Sequence, residues 1–506
     1  MEEKALTKQP AFAARLILLS VVLGLAGNIL FHGADGMGVN CLIWCVCLLW
    51  GVAALCKYGG IPRRAQNMWL GALMLICGIL PVLRDSSTMR SGDLSTGLLI
   101  AGLFAAFFRN DNVAAAGVLD YMRACGITTI HSVVLPIIIR QHLDFSLINR
   151  NGWSRRANSV VVGIAISLPL LIVFGSLFMA ADPVFAHFAH VLTSWDISKL
   201  CRHIGTIAVI AWLTTGFLRL ALLENGAIEP LPVPGSMLGK IEIGMVLGLL
   251  NALFAAFVAV QVQYLFGGKA HVLATVHLTY AEYARKGFFE LVWAIGLTLP
   301  VLLVLHQLTQ RTDKGADWTY RILSTLLVAL LSVVMASAVM RMLLYVDAYG
   351  LTELRLFTTA AMGWFGLVFL WFVITVLQGK RERFAVGALA TGVAALVIVY
   401  LINPDALIAR TNLKLAERTH HFDGCYATSL SADAVGPLVN NIANVPADQQ
   451  GIVAYQLLHK WSAAPSDWRS WNAGRITAWN SVQQHVIKLR EYAAPVTEDP
   501  CKIEEE

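Results

Sequence analysis

Charged residues make up only 14% of this 506-residue chain, whereas apolar residues reach 57%. A soluble domain carries roughly a quarter charged residues. The chain is long enough for three or four soluble domains, but its polar inventory cannot cover their surfaces. This shortage excludes a cytosolic enzyme, a nucleic-acid binder and a disordered scaffold. Catalytic signatures are also missing: the sequence has no P-loop, HExxH, GxSxG or strand-linked GxGxxG. ATP-driven transport by this chain alone is thereby excluded, and no cofactor is implied. The nine cysteines form no disulfide framework. Cys41, Cys45, Cys47, Cys56 and Cys77 lie in or beside apolar segments, where thiols act as small hydrophobes.

What is present is a series of long apolar runs, with a mean hydropathy of +0.64. A spanning helix needs roughly 20 mostly apolar residues. Eleven runs qualify, at 14–32, 38–56, 67–83, 93–108, 158–180, 203–223, 241–265, 287–307, 321–345, 355–378 and 385–402. The fold class expected is all-α: a polytopic membrane bundle of about 11 helices followed by a small C-terminal helical soluble domain. Its divisions are 1–110 (first four helices), 111–157 (connector), 158–402 (core helices) and 403–506 (C-terminal domain). The first run follows Lys4, Lys8 and Arg15 and reads as an uncleaved signal-anchor. The stretch 126–139 is apolar but short, contains Pro136, and reads as interfacial or re-entrant.

Counted over the loops, twenty Lys and Arg residues fall on the side of the N-terminus and nine on the other. The excess of basic residues marks the cytoplasmic side. The expected orientation is N-terminus in, with residues after Asn403 outside the cytoplasm. Beyond that point long apolar runs stop and helical periodicity continues over 404–420, 432–444, 447–461 and 467–490, with Ser431 and Ser466 as N-caps. Cys425 and Cys501 both lie in this part. Pairing in an oxidising compartment is open to them, although their spacing gives no geometric support.

Polar residues gather at the outer ends of the later runs. In YAEYARKGFFEL (280–291), Glu282, Lys286 and Glu290 are spaced to share one helix face, with Arg285 beside them. In RMLLYVDAYGLTELR (341–355), Arg341 lies inside an apolar run and needs a partner, for which Asp347, Glu353 and Glu290 are candidates. Arg355 closes that segment, Gly350 suits its turn, and Thr352 suits the cap of the next helix. Asp182 stands in ADPVFAHFAH at 181–190. Salt-bridged anchors with an aromatic belt explain these groups as well as a binding site does.

Asn251, Gln261 and Gln263 are polar groups in one apolar run and must face neighbours or a cavity. The same run carries Gly244 and Gly248 at GxxxG spacing. His187 and His190 share a helical face, and His420 and His421 are adjacent. Neither pair matches an established metal pattern, so no metal is assigned.

At these residues the chain resembles an uncharacterised family of bacterial polytopic membrane proteins catalogued as a domain of unknown function. The resemblance rests on ADPVFA (181–186), YAEYARKGFFEL, RMLLYVDAYGLTELR, NPDALIAR (403–410), SLSADAV (429–435) and DWRSWNAGR (467–475). It covers roughly 155–490 and implies a bacterial inner-membrane protein with a C-terminal helical extension. It supplies no substrate, cofactor or catalytic residue. Under the orientation above, the motifs meet at the outer face, with the C-terminal domain docked over the helix ends.

Three function classes are weighed. The first is a transporter, channel or lipid-handling protein with a polar cavity near Asn251, Gln261 or Arg341. The second is a non-catalytic envelope sensor or assembly scaffold with a packed bundle and an exposed aromatic patch at Trp468 and Trp471. The third is an intramembrane enzyme acting on a lipid-linked substrate. Sequence favours the first, because ionisable groups inside a membrane are functional candidates. Expected partners are the bilayer and a small molecule, lipid or envelope protein, with no nucleic acid; the oligomeric state stays open.

Overall fold

A computed structural model describes residues 9–61, 68–109, 113–133, 197–224, 238–266, 288–309, 313–493 and 501. The described residues form helices and no named strand. Helices α1 (Gln9–Phe31), α2 (Val39–Gly59), α3 (Met68–Leu83), α4 (Ser87–Phe107) and α5 (Val118–Val133) make the first group. Helices α6 (Ile197–Leu223), α7 (Lys240–Phe266), α8 (Phe288–Leu308), α9 (Lys314–Tyr349), α10 (Glu353–Thr375) and α11 (Phe384–Ile402) make the second. Eight of these, α1, α2 and α6 to α11, are long and apolar enough to cross a membrane. The chain is a multi-pass membrane protein.

The difference from eleven runs has local causes. The fifth run, 158–180, lies outside the described residues. Helix α3 has only 16 residues, about 24 Å of rise. Helix α4 begins at Ser87 rather than near residue 93, so its first turns carry Arg90 and Asp93. Helix α9 runs for 36 residues, about 54 Å, well beyond the 30 Å hydrocarbon core.

Two helix pairs run against each other most extensively, α1 with α6 and α7 with α9. Leu16, Leu23, Leu70, Ile100 and Leu103 of the first group share one core with Leu218 and Leu222 of α6. Ile243, Leu247, Ile295, Leu302, Leu327, Leu331 and Phe372 form that of the second. Many apolar side chains point outward instead, including Leu18, Trp50, Leu249, Leu253, Trp293 and Leu401. Large apolar surface on this scale belongs against hydrocarbon.

The short helix α5 starts where Tyr121 meets Phe107 at the end of α4. Its far end lies beside the middle of α6, where Trp212 Nε1 donates to the Val133 carbonyl at 2.9 Å. It therefore climbs obliquely along α4 and α6. The rest of the stretch expected to be interfacial, after Val133, lies outside the described residues.

The C-terminal domain comprises α12 (Pro404–Thr419), α13 (Gly424–Ser429), α14 (Ala432–Asn440), α15 (Ala447–Lys460), α16 (Ala473–Gln484) and α17 (Val486–Tyr492). Ser431 caps α14 and Thr352 caps α10, as their sequence positions suggest. The expected helix over 467–490 is instead divided. Asp467 caps a 3-10 turn at Trp468–Ser470, Asn472 caps α16, and α17 follows His485. The caps fall on Asp467 and Asn472, whose side chains accept from the Arg469 and Arg475 amides.

Ile408, Leu413, Val435, Leu438, Val453, Leu457 and Val482 form the domain core, and Leu351 from the α9–α10 turn is buried with them. A disulfide joins Cys425 to Cys501 with the Cα atoms 5.4 Å apart. Closing a loop of this length stabilises by about 2–4 kcal/mol in the chain-entropy account. Cys501→Ser is expected to lower the unfolding temperature of the C-terminal domain. The check is a melting curve with and without reductant, in which reductant destabilises the parent but leaves the variant unchanged.

Candidate functional site

The turns 33–38, 84–86 and 350–352 and the linker Asn403 all contact the C-terminal helices. The ends of α1, α3, α9 and α11 thus share one face. The ends of α4, α6, α8 and α10 share the other, where Arg109 donates to the Leu222 carbonyl and the Leu238 amide to Leu308.

The seam on the domain face is built around charged groups. Helix α3 ends beside Pro81, and a helix end leaves carbonyls without partners. Asn472 Nδ2 donates to the Pro81 carbonyl at 2.6 Å. The following Arg84 donates to Asp433 Oδ1 at 3.0 Å and to the Tyr400 carbonyl at 3.2 Å. The Asp85 amide donates to Asp433 Oδ2 at 3.0 Å. Its carboxylate accepts from Arg475 Nε and Nη2 at 2.9 and 2.6 Å. Domain and bundle thus exchange acid for base: Arg84 reaches up to Asp433, and Arg475 reaches down to Asp85.

Two further contacts lock the seam. Arg469 donates to the carbonyls of Ile29 (3.1 Å), His32 (2.9 Å) and Gly33 (2.9 Å), capping α1 from the domain. Its bonds to Asp467 hold that carboxyl below the usual carboxylate range. At the α9–α10 turn, the Leu351 amide donates to Asn412 Oδ1 at 2.7 Å, and Asn412 Nδ2 returns a bond to the Leu351 carbonyl at 2.9 Å. Gly350 precedes this pair with φ +78°, and a Cβ there would lie 2.7 Å from Asn412 Oδ1. Only glycine suits both the turn and the close approach.

A buried acidic pocket completes the seam. Asp405 is 1% exposed and accepts from the Ser431 hydroxyl, while its Oδ1 has no hydrogen-bond partner among the described residues. Burial pushes its carboxyl up to about 6, with Glu353 and Asp433 adding in the same direction. Burial likewise raises Asp433, against the opposing pull of Arg84. A carboxyl raised in the folded state contributes stability that is complete below its unfolded value near 4. That contribution is lost as pH rises through about 6. Asp405→Asn is expected to raise the melting temperature at about pH 7 and to flatten its pH dependence down to about pH 5. Thermal unfolding of the purified protein across that range checks this; a lower melting temperature with the parent slope would contradict it.

The sequence-derived candidates divide among several places. Glu353 lies in the seam, accepting from the Ser86 and Thr88 hydroxyls at 3.2 and 3.1 Å, while its amide donates to the Tyr426 hydroxyl at 3.0 Å. Arg355 folds back on its own turn, donating to the Gly350 and Tyr349 carbonyls and lying over the Tyr345 ring. Asp347 pairs with Arg418 at 2.8 Å on the exposed surface. Arg341 and Ser337 donate to Gln261 Oε1 at 2.8 and 2.7 Å, joining α9 to α7. Asn251 Nδ2 donates to the Leu323 carbonyl at 3.0 Å across the same pair.

Glu290 is exposed at the start of α8, and its neighbour Leu291 packs with Ala338 and Met342 on either side of Arg341. Asp182, Glu282, Arg285, Lys286, His187 and His190 lie outside the described residues, as does the side chain of Gln263. His420 and His421 are exposed, and no three possible ligands gather in metal-binding geometry among the described residues.

Arg84, Asp85, Asp405, Asn412, Asp433, Arg469, Asn472 and Arg475 carry no individual signal in the sequence that marks them as site residues. Asp405, Asp433, Arg469, Asn472 and Arg475 do lie in the quoted motifs. The Arg-Asp pair closing an apolar run was the available signal for Arg84 and Asp85, because charges abutting a helix end need partners.

Comparison with known proteins adds one finding. No curated protein and no solved structure matched the chain. Residues 70–441 match a family described as a domain of unknown function, DUF4153. The match begins in α3, well before residue 155, so α3 and α4 share in it although they carry no motif noticed in the sequence. It takes in the seam residues Arg84, Asp85, Glu353, Asp405, Asn412 and Asp433. By this match over most of its length, the chain belongs to the DUF4153 family.

Proposed function

We propose that the protein is a membrane-anchored platform, a non-catalytic scaffold or sensor in which the bundle holds the C-terminal helical domain in one fixed pose for recognition of an envelope partner. The observation that carries this reading is the seam: paired Arg–Asp contacts, the Asn412 clasp and the Arg469 cap fix the domain at several separated helix ends. Polar residues that favoured transport in the sequence serve to join helices. Gln261 is shared by Ser337 and Arg341, and Asn251 reaches Leu323. The surface offered is aromatic. Trp468 and Trp471 are 58% and 44% exposed, beside the Arg469 cap on α1.

The orientation proposed places the N-terminus in the cytoplasm of a bacterial cell and the C-terminal domain outside the inner membrane. Eleven described Lys and Arg residues lie toward the face opposite the domain and six lie toward the domain within the bundle. This bias supports that orientation. The Cys425–Cys501 disulfide supports it too, since such bonds persist in oxidising compartments.

A photocrosslinking residue in place of Trp471 tests the platform. The expected result is one discrete adduct with an envelope protein, abolished when Arg475→Ala releases the domain. Adducts with lipid alone would reduce the tryptophans to an interfacial belt and contradict partner recognition.

A further inference from the structure

Asp93 lies on α4 inside the bundle, 4% exposed and enclosed by α2, α3 and α11. The Tyr400 hydroxyl, from the last turn of α11, donates to its Oδ2 at 3.3 Å. Oδ1 is buried with no hydrogen-bond partner among the described residues. The titratable groups facing it from neighbouring helices are Cys41 and Cys45 on α2, Cys77 on α3 and Tyr400 on α11. All four are neutral in their ordinary forms. Arg90, one turn earlier on α4, forms no ion pair with Asp93, and Arg84 is engaged by Asp433 and the Tyr400 carbonyl.

An ionised carboxylate placed there would be desolvated, without a cation and with one long hydrogen bond. Carboxylates that stay charged when buried are held by a cation or by two or three donors. Without them the group binds a proton instead.

We propose that Asp93 is a proton-binding site within the membrane bundle, a neutral carboxylic acid at neutral pH. The proton sits on Oδ1, and Oδ2 acts as the carbonyl that accepts from Tyr400. Release of this proton leaves a charge that only Tyr400 and weakly donating thiols face, so the surroundings favour the protonated acid. The inference is independent of partner recognition by the C-terminal domain.

Infrared spectroscopy of the full-length protein in lipid nanodiscs tests it. The parent-minus-Asp93→Asn difference spectrum at neutral pH is expected to contain a protonated-acid carbonyl band that downshifts in heavy water and fades on alkalinisation. Tyr400→Phe, which keeps the acid and removes its donor, is expected to move the same band to higher frequency. Loss of a carboxylate stretch in place of the acid band would overturn the proposal. Should Asp93→Asn fail to fold, Tyr400→Phe decides alone: an acid carbonyl band that shifts supports the site, and no shift in any acid band overturns it.

Discussion

Arg475→Ala is expected to release the C-terminal domain from the bundle and to lower the melting temperature of the docked protein. Arg475 and Asp85 are 13% and 14% exposed as side chains, and the guanidinium gives Asp85 its two short bonds. Removing one partner of a largely buried pair leaves the other charged and desolvated, at a cost of about 3–5 kcal/mol. Here the stranded group is Asp85, which lies next to Arg84 and donates its amide to Asp433. Loss at one position therefore weakens both arms of the acid–base exchange. Limited proteolysis in nanodiscs checks the outcome. Cleavage near the Asn403 linker should accelerate while the helices of the bundle stay protected. A conservative Arg475→Lys substitution should recover only part of the loss, because a point charge cannot reproduce the two-nitrogen contact.

The second large effect is expected at Gly38, in the turn between α1 and α2. Its φ is −179°, outside the left-handed region. The constraint is space: a Cβ would lie 2.3 Å from the Trp471 carbonyl oxygen and 2.8 Å from the Ser470 carbonyl carbon. Both atoms are backbone, so no side-chain rotation relieves the clash. The 470–471 segment must move off, breaking the Val39 amide bond to Trp471, 3.1 Å long in the docked state. Overpacking of this kind costs about 1–3 kcal/mol. Gly38→Ala is expected to destabilise docking, and Gly38→Val to do so further. Ala34→Gly in the same turn provides a control that adds no atoms. Thermal unfolding followed by tryptophan fluorescence reads the difference, since Trp471 lies at the displaced segment. Equal stability of Gly38→Val and the parent would contradict the close approach.

These two residues show what the sequence could and could not reveal. Apolar length alone located most of the bundle: ten of the eleven runs coincide with described helices, and the fifth lies outside them. Helix ends were less legible. Asp93 opens an apolar run in the sequence, yet α4 begins two turns earlier and carries it into the interior. Polar residues at helix starts are ambiguous by composition, because a first turn can be solvated or buried against a neighbour.

The seam was legible as a face but not as contacts. NPDALIAR, SLSADAV, DWRSWNAGR and the 341–355 segment do meet there. Their partners Arg84 and Asp85 are more than 300 residues away along the chain in the contacts to Asp433 and Arg475, and no local periodicity encodes such pairings. Arg341 does donate to a neutral amide, Gln261, across the α7–α9 pair, a contact that only the tertiary pairing of those helices makes. Gly38 gave no signal at all, since its need arises only from the backbone that lies against it.

The central claim is that the C-terminal domain occupies one fixed pose on the bundle. Pulsed electron–electron resonance measures it most directly, with spin labels carried by unnatural amino acids at Ser95 on α4 and Lys488 on α17, in lipid nanodiscs. A fixed platform predicts a single narrow distance distribution that broadens and lengthens in Arg475→Ala. Two interconverting distances in the parent protein, or a distribution unchanged by Arg475→Ala, would contradict it.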